Sequence, residues 1–236
     1  MNNGQKQLVG SGELYVRSYR AFKDNFCINL LLGVFIVLPQ TIVSWSFGYY
    51  TNLPDVTHRP DFISTIFGFL IVELISLAIG SIALITLISD AHIRISGEID
   101  LFWALGNGFD KLFSLWWIAI LASLWTIGGF LLFIIPGFIV AIRLIFGNYV
   151  LVLESRYGLD ALRRSRDLVR GYTFQTLIRW LAAYFPIIAV ALVSYFLKPL
   201  FPKTNEIIYL AVNVLAAPFI TIYGYFLYKE LVALRN

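Results

Sequence analysis

The chain has 236 residues, 59% of them hydrophobic and only 14% charged, against about 25% charged in an ordinary soluble domain. With a mean hydropathy of +0.78, a water-soluble fold is excluded, because a core of this size cannot hide so much apolar surface. The net charge is +4, and its meaning rests on where the basic residues sit rather than on the total.

Residues 1–25 are polar and hold no apolar core of a signal peptide. The first apolar run starts at Phe26 and outlasts the h-region of roughly 7–15 residues, so it reads as a first span. A spanning helix needs about 20 apolar residues. Six windows are predicted, at 26–47, 62–89, 113–135, 138–154, 173–197 and 206–228. The third is expected to end at a turn over Ile134-Ile135-Pro136-Gly137, and the fourth is short. Amphipathic stretches at 11–24, 97–112 and 157–172 precede successive pairs of spans. The expected fold is therefore an all-α integral membrane protein, a single polytopic domain over 1–236. Its six transmembrane helices form three hairpins, each preceded by a cytoplasmic interfacial amphipathic helix.

Basic residues orient such a chain, because Lys and Arg are enriched in cytoplasmic loops. Thirteen fall on the side of the termini and the second and fourth loops, against three on the other side. Both ends are expected in the cytoplasm, with anionic lipids of that face as partners. No nucleic-acid partner is expected, since the tryptophans and tyrosines near the span ends fit interfacial belts.

No catalytic pattern emerges. His58, His92 and Cys27 are scattered, and no P-loop, GxSxG or GxGxxG occurs, so no catalytic residue, cofactor or metal is assigned. Two ionisable residues fall deep within spans, Glu73 and Arg143. A charge at mid-bilayer costs at least about 2.5–3.5 kcal/mol, and an ion pair between the two is expected to offset this. Asn148 and Asn213 are candidates for interhelical hydrogen bonds. Pro39, Pro186 and Pro218 interrupt spans, and Arg179 is expected to snorkel to the inner interface. The stretch 157–172 has one face with Ala161, Leu162, Ser165, Leu168, Val169 and Tyr172, and the helix is expected to lie flat on the inner leaflet. Arg163, Arg164, Arg166 and Arg170 form its lipid- or partner-binding surface.

The run IIPGFIVAIRLIFGNYVLVLESRYGLDALRRSRDLVRGY, with Pro136, Gly137, Arg143, Glu154, Ala161, Leu162, Ser165, Arg170 and Gly171 at its marked positions, resembles the membrane domain attached to some glycerophosphoryl diester phosphodiesterases. It also resembles related stand-alone six-helix inner-membrane proteins of bacteria. The resemblance implies the fold and a bacterial cytoplasmic-membrane location. It does not imply phosphodiesterase chemistry, which belongs to a separate soluble domain. The expected role is a non-catalytic accessory, scaffold or partner- or lipid-binding subunit, with a protein partner in a membrane complex. The rival is a small transporter or channel for a lipid or small solute, working through Glu73 and Arg143.

Overall fold

The structure, a computed structural model, describes residues 8–51, 68, 71, 74, 75, 78, 80, 83, 85, 106, 108–197 and 202–235. Regular structure among the described residues is helical. The helices are α1 (Ser11–Asp24), α2 (Phe26–Thr51), α3 (Leu112–Leu132), α4 (Ile134–Leu144), α5 (Gly147–Leu153), α6 (Gly158–Val169), α7 (Thr173–Leu197) and α8 (Pro202–Arg235).

Four segments are long and apolar enough to cross a membrane: Leu112–Leu132, Ile134–Leu153, Thr173–Ser194 and Leu210–Arg235. A fifth is reached if the pair α1–α2, bent by 95°, counts as one. The expected span 62–89 and the surface stretch 97–112 lie mostly outside the described residues, although the eight described positions between 68 and 85 are helical.

The bend between α1 and α2 has a local cause. Asn25 leaves helical geometry (φ −123°, ψ 39°), and Asn29, buried on α2, donates from Nδ2 to the carbonyl of Phe22 at 3.1 Å. That bond satisfies one of the carbonyls orphaned where α1 stops.

The turn expected over Ile134–Gly137 sits one step earlier. A single extended residue, Phe133 (φ −163°, ψ 158°), links α3 to α4. Pro136 lies inside the first turn of α4, where a missing N–H costs no helical bond. The two arms meet through glycines: a Cβ on Gly129 would come within 3.0 Å of the Gly137 Cα.

The expected span 138–154 is also not one helix. It breaks at Ile145–Phe146 and resumes as α5. In the other half of the molecule α8 packs along α2 and α7. There Gly33 lies so close to the Val214 carbonyl that an added Cβ would sit 2.1 Å from its oxygen.

Most of the deeply buried residues gather at one end, called here the base. It comprises α1, α5, α6, the start of α7 and the last turns of α8. Phe146, Tyr149, Trp180 and Tyr228 form an aromatic cluster there, with Phe146 about 6 Å from each of the other three rings. Gly224 makes room for this cluster, since a Cβ there would meet the Tyr149 hydroxyl at 2.2 Å. Away from the base, α2, α3, α4 and α7 present large apolar side chains outward, as a lipid-facing surface requires.

Candidate functional site at the helical base

Helix α6 is the most amphipathic element of the base. Its buried residues, Ala161, Leu162, Ser165, Leu168 and Val169, recur at the spacing of one helical face. That face is seated on protein rather than on acyl chains, because α6 packs against α3, α4 and α5. Leu162 reaches Gly147, and Gly158 lies against the Trp117 indole. The helix ends in a turn from Val169 to Tyr172 with Gly171 at φ 89°, a type II position that favours glycine.

The four arginines separate into two roles. Arg163, Arg166 and Arg170 are exposed on the outward face. Arg166 makes only a loose 3.5 Å contact with the neighbouring Asp167. Arg164 turns back and donates from Nε to both oxygens of Glu154 at 3.0 and 3.1 Å. Asp160 lies 3.7 Å from the Arg156 guanidinium.

Glu154, which the sequence marks only within the resemblance pattern, is a hub. Its Oε2 also meets the Arg156 Nε at 3.1 Å, and its Oε1 accepts from the Tyr228 hydroxyl at 2.7 Å. One carboxylate therefore ties the α5–α6 connection to α6 and to the end of α8. The connection is tight enough to hold Ser155 at φ 52°.

Ser165 joins α6 to the break between α4 and α5. Its Oγ donates to the Arg143 carbonyl at 2.8 Å and accepts from the Phe146 N–H at 3.2 Å. Those are two backbone groups that a continuous helix would have paired internally. The Arg143 side chain is half-buried, with Nε 3.4 Å from the Thr173 hydroxyl at the start of α7. Arg143 thus lies at the level of α6 and Thr173. Glu73, its expected partner, lies outside the described residues. Asn148 and Asn213 are half-buried on α5 and α8. In the same region the Tyr149 hydroxyl donates to the Thr221 carbonyl at 3.1 Å.

On the other side of the base, Arg179 does not simply snorkel. Its Nε and Nη2 donate to the carbonyls of Val9 and Leu8 at 2.7–2.9 Å, and its Nη1 donates to the Gln175 carbonyl at 3.0 Å. The guanidinium clamps the segment before α1 onto α7.

Two of the three span prolines are met by another helix. Pro186 has no N–H, so the carbonyl four residues back, at Ala182, loses its helical donor. The Tyr15 hydroxyl of α1 bonds that carbonyl. Burial raises the pKa of the Tyr15 phenol, which keeps the donor protonated. Pro218 likewise frees the Val214 carbonyl, and this is the oxygen against which Gly33 packs. Beside α3, burial lowers the pKa of Lys111, whose ammonium approaches the Val152 carbonyl at 3.4 Å.

Among the described residues no group of three His, Cys, Asp or Glu side chains is placed to hold a metal. What the base offers chemically is a hydrogen-bonded platform with guanidinium groups displayed on its outer face. Comparison with known proteins returns no match: no family, no curated protein and no solved structure.

Proposed function

We propose that this chain is a non-catalytic membrane protein of the bacterial cytoplasmic membrane that serves as an accessory or scaffold subunit. Three hairpins enter the bilayer from the cytoplasmic side, both termini remain there, and the base is the cytoplasmic face. The basic outer face of α6 is its contact surface for anionic headgroups or for an acidic partner within a membrane complex. The resemblance to the membrane domains joined to glycerophosphoryl diester phosphodiesterases supports the same setting.

One observation carries the reading. The inner face of α6 is buried to between 0 and 3% exposure, while Arg163, Arg166 and Arg170 stay exposed on the other face. A helix docked this firmly holds the backbone that carries these charges in place, which lowers the ordering cost of binding. Each such cation contributes about 1 kcal/mol beside an anionic leaflet. The transport reading would need a polar path to Arg143, whose Nε lies 3.4 Å from the Thr173 hydroxyl.

The test is gentle purification from native membranes of the wild type and of a triple variant, Arg163→Gln, Arg166→Gln and Arg170→Gln. A protein partner recovered with the wild type, or the excess of anionic lipid it carries over the folded variant, is expected to be lost from that variant. Recovery of a bare wild-type monomer, or of the same companions in the same amounts with the variant, would reject the proposal.

A further inference from the structure

An open groove of about 940 Å³ runs between α1, α7 and α8, within the roughly 300–1,000 Å³ usual for ligand sites. Its polarity is sorted along its length. All its charged residues come from the second half of α1: Arg20, Lys23 and Asp24. The walls are apolar and include Pro186 and Val190 of α7 and Leu215 of α8.

The positions of the ends follow from the contacts. Tyr15 meets the Ala183 carbonyl at 3.2 Å, and the Phe22 and Phe219 rings lie 6.4 Å apart, so α1 closes one end. From there the walls continue for seven residues, to Val190 and Val212, or about 10 Å of helix.

A charged end on an apolar groove matches an amphiphile, because a polar solute would lose its own hydrogen bonds against the walls and an alkane would leave the charged end without a counter-charge. The sign of the charge narrows the class. Neither Arg20 nor Lys23 has a carboxylate within 4.0 Å among the described residues. With Asp24 the end carries one net positive charge, which a single phosphodiester neutralises. An Arg fork suits phosphate oxygens, and a Lys adds a point charge.

We propose that this groove holds one anionic diacyl phospholipid from the leaflet bordering the base. Its phosphate sits at Arg20 and Lys23, and its acyl chains lie along α7 and α8. The site is separate from the basic face of α6 and stands or falls without it.

The test uses the full chain in nanodiscs of phosphatidylcholine containing phosphatidylglycerol with a photoreactive group in its acyl chain. Crosslinks on the wild-type protein are expected to concentrate at 186–190 and 212–216. After transfer to detergent, native mass spectrometry should find one retained phosphatidylglycerol. Arg20→Gln with Lys23→Gln should reduce retention about 25-fold, about fivefold per juxtamembrane cation. Val190→Trp, which fills the groove and leaves every charge in place, should also expel the lipid. The triple glutamine variant of α6 should retain it in full. Crosslinks spread evenly over the apolar surface would overturn the proposal. So would equal retention of phosphatidylcholine, or undiminished retention by a folded Arg20→Gln/Lys23→Gln protein.

Discussion

Ser18 and Ser165 are both fully buried, yet their hydroxyls do different jobs. Ser18 donates to the Leu14 carbonyl four residues back within α1, an acceptor that the helix can satisfy by itself. Ser165 supplies both a donor and an acceptor to a break in another helix. Ser18→Ala should therefore be nearly neutral in detergent melting. Ser165→Ala should cost about 1–3 kcal/mol, the usual penalty for stranding buried backbone groups. Equal effects of the two would show that Ser165 does not hold the break. Glu154 is the other residue on which several elements converge. Charged hydrogen bonds are worth about 1.5–3 kcal/mol, and screening of partly exposed arginines reduces that. Glu154→Gln should lower the melting midpoint by about 3–6 °C. Arg156→Gln, whose side chain is 46% exposed, should lower it by no more than about 1 °C. An unchanged midpoint for Glu154→Gln would remove the hub from the account.

At the scale of elements, close approach of backbones decides which glycines matter. Gly128 and Gly129 are neighbours on α3. A Cβ on Gly128 meets nothing within 4 Å, whereas one on Gly129 presses on the Gly137 backbone. Gly128→Ala should be neutral or stabilising by up to about 1 kcal/mol through helix propensity. Gly129→Ala should destabilise by about 1–3 kcal/mol, as overpacking does. Thermal melting of the two variants side by side checks this, and similar midpoints would refute the hairpin contact. The same scale shows what could be read from the chain. The amphipathic pattern over 11–24 marks α1 and that over 157–172 marks the body of α6, because packing on one face leaves such a pattern. The break between α4 and α5 left no mark. The apolar run is continuous there, and the group that holds the break, Ser165, lies 22 residues from Arg143. The prolines were visible but their compensation was not, since Tyr15 lies 167 residues from Ala182. Arg143 and Arg164 are legible in the chain as charges. Their partners, Thr173 and Glu154, were set by packing that one-dimensional spacing does not encode.

For the whole molecule, the position of α6 limits how deeply the α3–α4 hairpin inserts. The outward face of α6 carries Arg163, Asp167 and Arg170 beside exposed Asp160, and ionised carboxylates do not enter hydrocarbon. Everything at the level of α6 must therefore lie at or outside the headgroups. Trp117 is at that level through Gly158, and Ile118 is at the level of Gly147, itself packed on Leu162. The part of α3 beyond Ile118 has 14 residues, or about 21 Å, while the hydrocarbon core is about 30 Å thick. The tip has no polar side chain to meet water on the far side: Leu131, Leu132, Phe133, Ile134 and Ile135 are apolar and 70–83% exposed. The hairpin should end inside the acyl region, which leaves the side of both termini unchanged. A Cys27→Ser background carrying Phe133→Cys tests this with a membrane-impermeant thiol reagent applied to each face. Asp160→Cys serves as the base-side control and Thr51→Cys as the opposite one. Phe133→Cys should resist the reagent from both faces, react once detergent is added, and have a fluorophore at that position quenched by spin-labelled acyl chains. Reaction from the face that labels Thr51→Cys would mean that the hairpin crosses completely.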